Sequence, residues 1–221
     1  MNYRKICVFD FETDSPKPES CNLTQIAALV LDARKLTPIK GGEFYLKVKP
    51  EGLDKIDSYM TTERKSTIAW HCKTRGIDQE ELLTEWNESC DQKYGWQQFS
   101  EFINMFNPKK TAFTAPIPAG MNIRNFDLPI AKRMNEKYKI KTMFWYRDSI
   151  DILDMCFMWF ENVDNGPKNF KMDTLREFFG LANDEAHDAL FDVKQETEVI
   201  TKFLKLCRRY SNRVTFAGSC S

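Results

Sequence analysis

The chain has 221 residues, of which 42% are hydrophobic and 13% aromatic, which is enough for a packed core and excludes a disordered polypeptide. Its 32 basic and 32 acidic residues cancel, so the protein cannot coat nucleic acid by bulk charge, although a local basic groove is compatible with this balance. The longest apolar runs are far too short to span a bilayer. We therefore expect a single sizeable domain with no membrane partner.

The seven cysteines are odd in number and form no C-x-x-C pair. This spacing differs from that of metal fingers and disulfide frameworks, so we expect free thiols that serve as packing residues. The N-terminus runs directly into a strand pattern, without the apolar segment and cleavage site of a signal peptide. These features predict a cytoplasmic protein, in a bacterium or in the cytosol of a phage-infected host.

Three strand patterns open the chain, at 4–12, 23–31 and 43–49, and turn-rich segments separate them. The connections are too short for crossover helices, which predicts an antiparallel meander. In the first strand, "VFDFETD" places Asp10 and Glu12 on one face, because residues two apart in a strand share a side. Like charges so placed repel, so the pair requires either a cation between the carboxylates or a protonated carboxyl group.

Helical patterns follow at 78–90, 94–106 and 126–139, and Asp78 is the expected cap of the first. Segment 111–120 looks like a strand interrupted by two prolines, which favours an edge strand or a strand end. A short strand at 148–153 leads into a helix at 152–160. A helix at 172–179 is closed by Gly180, and a long helix runs from Asp188 to about Tyr210. We expect one domain over 1–213 and a flexible tail over 214–221.

Further acids stand at the predicted starts of two helices. Asp127 lies at a strand-to-helix transition, and in "AHDALFDV" His187 precedes a helix that Asp188 would cap, with Asp192 on its first turns. Taken singly, each of these has a plain explanation as a capping residue or a solvated acid. The strand acids Asp10 and Glu12 have none, because apolar residues flank them.

The joint order of these residues resembles the DEDDh exonucleases, the DnaQ-like branch of the ribonuclease H-like fold. Three motifs carry the resemblance: Asp10-Phe11-Glu12-Thr13, Asn122-x-x-x-Phe126-Asp127 and His187-x-Ala189-x-x-Asp192. Two weaker phrases, Gln25-Ile26-Ala27-Ala28 and Gly76-Ile77, extend it over about residues 4–207. The resemblance implies an α/β protein whose central five-stranded mixed β-sheet is flanked by α-helices.

The sequence departs from the family pattern at two places. Met121 stands where the family often has a histidine before the second-motif asparagine, and a proline-rich stretch from Ser15 to Pro18 follows the first motif where a glycine is usual. Neither departure affects an expected metal ligand or the expected base. Both bear on substrate preference.

The resemblance implies a metal-dependent 3′→5′ exonuclease that hydrolyses terminal phosphodiester bonds and releases nucleoside 5′-monophosphates. It assigns two divalent cations to Asp10, Glu12, Asp127 and Asp192, and it makes His187 the general base that takes a proton from the attacking water. Ligands that are all oxygen suit Mg²⁺, for which Mn²⁺ can substitute. By the same resemblance, the terminal nucleotide is held by Phe11, Thr13, Asn122 and Phe126.

The substrate is expected to be the 3′ end of single-stranded or frayed nucleic acid, with DNA favoured. An exoribonuclease that trims RNA 3′ ends stays open, because contacts to the 2′-OH cannot be located in a sequence. A non-catalytic nucleic-acid-binding module is disfavoured, since such a module has no physical reason to keep mutually repelling carboxylates. A homodimer and association in trans with a polymerase are also left open. Basic candidates for the strand path are Lys109, Lys110, Arg124, Lys132, Arg133 and Lys168.

Overall fold

The computed structural model describes residues 4–141, 144, 146–161, 163–181 and 188–211. Its centre is a six-stranded sheet in the order β4-β3-β2-β1-β5-β6. The strands are β1 (Ile6–Thr13), β2 (Leu23–Asp32), β3 (Thr37–Lys49), β4 (Cys90–Asp91), β5 (Ile117–Gly120) and β6 (Ile150–Asp151). The β1–β2 and β2–β3 pairs are antiparallel, as the short connections predict, and the other pairs are parallel. The expected mixed α/β fold is confirmed, with six strands instead of five because the two-residue strand β4, which was not predicted, pairs with β3 at one edge.

Eight α-helices flank this sheet in the described residues. They are α1 (Ile56–Tyr59), α2 (Thr62–Arg75), α3 (Gln79–Glu88), α4 (Gln92–Met105), α5 (Asp127–Tyr138), α6 (Ile152–Phe160), α7 (Met172–Phe179) and α8 (Ala189–Ser211). The expected caps are present: Asp78 accepts a hydrogen bond from the Glu81 N–H, and Gly180 takes a left-handed conformation after α7. Helix α2 was not predicted from the sequence.

The alternation of β1 divides the core into two layers. Cys7, Phe9 and Phe11 point to the face covered by α4 and α5, where they join a buried aromatic cluster. Ile6 and Val8 point to the opposite face and pack with buried residues of α6, α7 and α8. Strand alternation therefore directs Asp10 and Glu12 toward the α8 side of the sheet.

Strand β5 is not an edge strand, which corrects one alternative of the sequence expectation. It lies between β1 and β6, and Pro118 is inside it, in register with Cys7 of β1. The pairing with β6 involves only Ala119 and Gly120, after the proline. Pro118 thus lies where β5 has one neighbouring strand, so its missing N–H does not interrupt a two-sided ladder.

A buried aspartate joins the segment after β1 to helices α1 and α2. The Asp14 carboxylate accepts bonds from the N–H and side-chain amide of Asn22 at 2.7 and 2.8 Å, and from the Tyr59 hydroxyl at 2.8 Å. Arg64 of α2 places its Nε 2.9 Å from the same carboxylate. Because a buried charge needs such partners, Asp14 fixes the position of α2 beside the end of β1.

The remaining expectations concern cysteines, membrane segments and the chain end. The six cysteines in the described part of the chain are free thiols. No described helix combines the length and hydropathy needed to cross a bilayer. The expected base His187 and the expected tail over 214–221 lie outside the described residues.

Candidate active site

Carboxylates from two distant motifs meet at the end of β1. Asp10 and Glu12 come from β1 and Asp192 comes from the first turns of α8, and one carboxylate oxygen of each lies within 4.8 Å of the others. We call these three residues the acid cluster. Strand alternation accounts for the first two, while the third depends on the packing of α8 across the sheet.

Asp188 sets the start of α8 and therefore the position of Asp192. Its Oδ1 accepts hydrogen bonds from the backbone N–H groups of Leu190 and Phe191, at 3.1 and 3.2 Å. This is the capping role expected from the sequence. The second oxygen of Asp188 accepts a bond from the Tyr45 hydroxyl of β3 at 3.1 Å, which ties the helix start to the sheet.

Asp127, the acid of the second motif, lies beside the acid cluster at the start of α5. It is 2% exposed, and its Oδ1 accepts a hydrogen bond from the backbone N–H of Phe11 at 3.1 Å. Phe11 stands between Asp10 and Glu12 in sequence, so this bond holds the second motif against the first. Asp127 is not among the three acids whose oxygens lie within 4.8 Å of one another.

Three acids of this site, Asp10, Glu12 and Asp127, have raised pKa values, first because they are buried. Burial first, and the Asp192 carboxylate second, raise the pKa of Asp10 to about 7. Burial, followed by the charges of Asp10 and Asp192, raises the pKa of Glu12 well above its usual range. Burial and the Asp10 charge do the same to the pKa of Asp127. The site therefore stabilises protonated acids unless a cation is bound.

A further acid of the site, Glu196, was not predicted from the sequence. It is 3% exposed and lies one helical turn beyond Asp192 on α8, and its Oε2 has no hydrogen-bond partner among the described residues. Burial, and then the charges of Asp10, Asp127 and Asp192, raise the pKa of Glu196 well above its usual range. The i, i+4 spacing from Asp192 could have identified it, since residues four apart share a helix face.

Arg176 on α7 is a second residue of the site that was not predicted from the sequence. This arginine is 1% exposed, its Nη2 donates to Asp192 Oδ1, and its Nη1 donates to Asp173 Oδ1 at 2.9 Å. Its positive charge lowers the pKa of Asp10, against the larger effect of burial. No pattern in the sequence distinguishes Arg176 from a solvated surface cation, because its partner lies 16 positions away.

A cavity of about 580 Å³ opens above the acid cluster. Its floor includes Asp10, Glu12, Asp192 and Glu196, and one wall is the face of α2 that carries Ser66, Thr67, Trp70 and His71. Met121, Phe126 and Met172 supply apolar lining elsewhere. None of the six basic residues expected along a strand path lines this cavity.

His71 lies in the α2 wall next to the first motif. Its Nε2 donates to the Thr13 carbonyl at 2.9 Å, because a carbonyl oxygen only accepts. Its Nδ1 lies 3.9 Å from Glu12 Oε2. His71 therefore connects the α2 wall to the end of β1.

The four residues expected to hold substrate are placed differently from one another. Phe11, Thr13 and Phe126 line the cavity, although the side chain of Phe11 packs in the core against Phe9, Trp96 and Phe99. Asn122 does not belong to the cavity lining. It takes a left-handed backbone conformation with φ of 52°, and its N–H donates to Asp151 at 3.0 Å.

The residues of the acid cluster fit a hard divalent cation. The clustered donors are carboxylate oxygens, which Mg²⁺ and Mn²⁺ prefer and which are a poor match for zinc. In the described part of the chain, the Oε2 of Glu196 is buried without a partner, and the neighbouring acids Asp10 and Glu12 have raised pKa values. A bound cation would supply the positive charge that these groups lack.

The sequence comparison with protein families gives one result that decides the family. Residues 7–200 match the RNase_T family, described as Exonuclease. The chain belongs to this exonuclease family. Its members are hydrolytic enzymes that normally use divalent metal ions, and the acid cluster is compatible with such a site. A comparison with curated proteins finds no match.

Among solved structures, the exonuclease-family chain is similar to bacterial exonuclease I. The enzyme from Methylocaldum szegediense shares 20% identity with a TM-score of 0.64, over 92% of this chain and 41% of that one. The Escherichia coli enzyme in complex with a dT13 oligonucleotide shares 17% identity with a TM-score of 0.69, over 96% of this chain and 43% of that one. The complex of the Escherichia coli enzyme with a dA16 oligonucleotide shares 18% identity with a TM-score of 0.65, over 90% of this chain and 40% of that one. The chain thus has the fold of these enzymes and spans about two fifths of their length.

Proposed function

We propose that this protein is a 3′→5′ exonuclease that hydrolyses the terminal phosphodiester bond of single-stranded nucleic acid and releases nucleoside 5′-monophosphates. The observation that carries the proposal is the acid cluster, in which oxygens from β1 and α8 lie within 4.8 Å of one another beneath an open cavity. Carboxylates with raised pKa values at such a site are typical of metal-dependent phosphodiester hydrolysis. Membership of an exonuclease family supports the same reaction.

In this proposal, two divalent cations are held by Asp10, Glu12, Asp127 and Asp192. Such cations, when bound, polarise the phosphoryl oxygens and neutralise the charge that develops on the attacking and leaving oxygens. The chain itself fixes the ligands: the Phe11 N–H holds Asp127, and Arg176 holds Asp192. His187 would accept the proton of the attacking water, which is the role that its position in the third motif implies.

We infer that DNA is the favoured substrate. Relatives of this fold form complexes with the single-stranded oligonucleotides dT13 and dA16, which supports a single-stranded DNA 3′ end as the ligand here. The cavity volume of about 580 Å³ lies within the roughly 300–1,000 Å³ range of small-ligand sites, so it suits one terminal nucleotide. Phe11, Thr13 and Phe126 are candidates for holding that nucleotide, and so is Asn122. A homodimer, a polymerase partner and a cytoplasmic location stay predictions.

The test is degradation of 5′-labelled single-stranded DNA and RNA of one sequence, with Mg²⁺ or Mn²⁺. We expect a ladder that shortens from the 3′ end and disappears with EDTA or with Asp10→Asn, while DNA is degraded faster than RNA. Glu85→Gln is the matched control, because it makes the same kind of change in an acid outside the cavity. Intact strands with either metal, together with retained oligonucleotide binding, would instead favour a non-catalytic binding module. Faster loss of RNA would reassign the substrate class.

A further inference from the structure

Arg176 combines three properties that an ordinary surface cation lacks. It is 1% exposed, it contributes to the lining of the cavity, and it contacts an acid of the cluster. Arginine is almost never buried to this extent unless paired, since removing a guanidinium from water is costly. Its burial therefore depends on the groups that surround it.

Those groups hold the guanidinium from several sides. Nη2 donates to Asp192 Oδ1, and Nη1 donates to Asp173 Oδ1 at 2.9 Å. The guanidinium carbon lies 5.8 Å from the centre of the Phe191 ring, which is within range of a cation–π interaction. Asp192 and Phe191 are neighbours at the start of α8, so Arg176 contacts the helix segment that carries the third-motif acid.

The contact with Asp192 is compatible with a cation at the acid cluster. With Arg176 bound to it, Asp192 still presents a carboxylate oxygen within 4.8 Å of those of Asp10 and Glu12. A hydrogen-bonded partner behind a metal ligand restricts its orientation, and loss of such a partner typically costs 10–100-fold in metal affinity or activity. Asp173, in contrast, is 68% exposed at its side chain and lies at the start of α7.

We propose that Arg176 is a positioning residue of the active site, which orients the Asp192 carboxylate toward a divalent cation through its bond to Oδ1. The role rests on the proposed function, because it assumes that Asp192 is a cation ligand. It gives α7, which also contributes Met172 to the cavity lining, a role at the acid cluster. The alternative is that Arg176 is merely a counter-charge that balances the acids when no metal is bound.

The two roles predict opposite changes in metal affinity. If Arg176 orients Asp192, its loss leaves the carboxylate free to turn, so cation binding becomes weaker. If Arg176 is only a counter-charge, its loss makes the site more negative, so cation binding becomes tighter. The sign of the change in Mn²⁺ affinity therefore separates them.

The test measures Mn²⁺ binding to three variants in the absence of nucleic acid. Electron paramagnetic resonance of the free ion monitors the titration. Arg176→Met removes the charge and donors, and we expect about 10–100-fold weaker Mn²⁺ binding. Arg176→Lys keeps the charge with a compact donor, and we expect binding between that of the wild type and of Arg176→Met. Arg208→Met is the matched control, because it makes the same change in an arginine outside the cavity, which donates to the carbonyls of Arg34 and Ala33, so we expect wild-type binding.

A second readout uses the oligonucleotide substrate at saturating Mn²⁺. We expect kcat of Arg176→Met to fall about 10–100-fold with little change in KM, because saturation restores occupancy but not the orientation of Asp192. Mn²⁺ binding that is unchanged or tighter in folded Arg176→Met overturns the proposal. If circular dichroism shows that this variant does not fold, Arg176→Lys decides: weaker binding supports the proposal and wild-type binding overturns it.

The two proposals fail in different ways. If the wild type hydrolyses neither DNA nor RNA, the proposed function fails, and the Mn²⁺ titrations still decide the role of Arg176. If the wild type is active and folded Arg176→Met matches it in Mn²⁺ affinity and kcat, only the positioning role fails.

Discussion

Two acidic sites of this protein, Glu85 and the acid cluster, have opposite charge environments. On the surface near α3, Glu85 accepts two bonds from Arg75, at 2.8 and 2.7 Å, and one from Lys47 at 2.8 Å. Although burial acts to raise it, these hydrogen bonds lower the pKa of Glu85 below its usual value. At the acid cluster, burial and neighbouring carboxylates raise the pKa of Asp10 instead. The same chemical group is thus stabilised as an anion in one place and as a neutral acid in the other.

The difference shows which of the two acidic sites has its negative charge balanced without a ligand. Glu85 is paired with two cationic side chains, Arg75 and Lys47, which balance its negative charge. Among the described residues, Arg176 is the cation bonded to the acid cluster, and its charge faces the cluster together with Asp127 and Glu196. A folded protein tolerates such an imbalance at a functional site, where a bound cation removes it.

The largest expected effect comes from a substitution of Asp10 in the acid cluster. Asp10→Asn keeps the side-chain volume and removes the charge, so we expect Mn²⁺ binding to weaken and hydrolysis to fall at least about 10³-fold. This corresponds to a loss of about 4 kcal/mol of transition-state stabilisation at about 1.36 kcal/mol per tenfold change. Steady-state hydrolysis of a single-stranded oligonucleotide measures the change, with Glu85→Gln as the control. Full activity of folded Asp10→Asn would contradict the site.

His187→Ala separates proton transfer from cation binding. We expect hydrolysis to slow about 10²-fold, the lower end of the range for general acid–base catalysis, while Mn²⁺ affinity stays at the wild-type value. Paired measurements of kcat and of Mn²⁺ binding check both parts. An unchanged kcat would remove the histidine from the mechanism.

The contributions of Asp10 and Glu85 to the stability of the fold should change with pH in opposite directions. The pKa of Asp10 is raised in the folded protein, so its stabilising contribution is fully present below the unfolded value of about 4 and is lost as pH rises through about 7. In EDTA, we expect the unfolding temperature to fall roughly 5–10 °C between pH 5 and pH 8, and Mg²⁺ to restore most of this loss at pH 8. Thermal unfolding followed by circular dichroism measures it. The fall should be smaller in Asp10→Asn, and an equal fall would exclude Asp10 as its cause.

Glu85→Gln tests the opposite sign and has the smallest expected effect. Because the folded pKa of Glu85 is lowered, its contribution is present above the unfolded value of about 4.3 and is lost as pH falls through the folded value. For partly exposed ion pairs the contribution is about 1 kcal/mol, so at pH 7 we expect an unfolding temperature about 2–4 °C lower and unchanged hydrolysis. The deficit relative to the wild type should shrink in acid. A deficit that grows in acid would contradict the assignment.

Features that depend on local periodicity and local hydrogen bonds could be predicted from the sequence. Alternation along β1 put Asp10 and Glu12 on one side, and the capping residues Asp78 and Asp188 marked the starts of α3 and α8. Both kinds of inference succeed because the groups involved lie within four residues of one another in the chain. The order of three short motifs was also sufficient to indicate the family that residues 7–200 match.

The electrostatic balance of the site and the shape of the cavity depend on contacts between distant parts of the chain and could not be predicted from the sequence. Arg176 is buried only because α7 packs beside α8, and the bond from the Phe11 N–H to Asp127 spans 116 positions. The α2 wall likewise depends on buried Asp14, which gathers partners from 8 to about 50 positions away. A charged residue has the same letter whether water or a fold surrounds it. Its pKa and its role depend on burial and on partners that only the folded chain brings together.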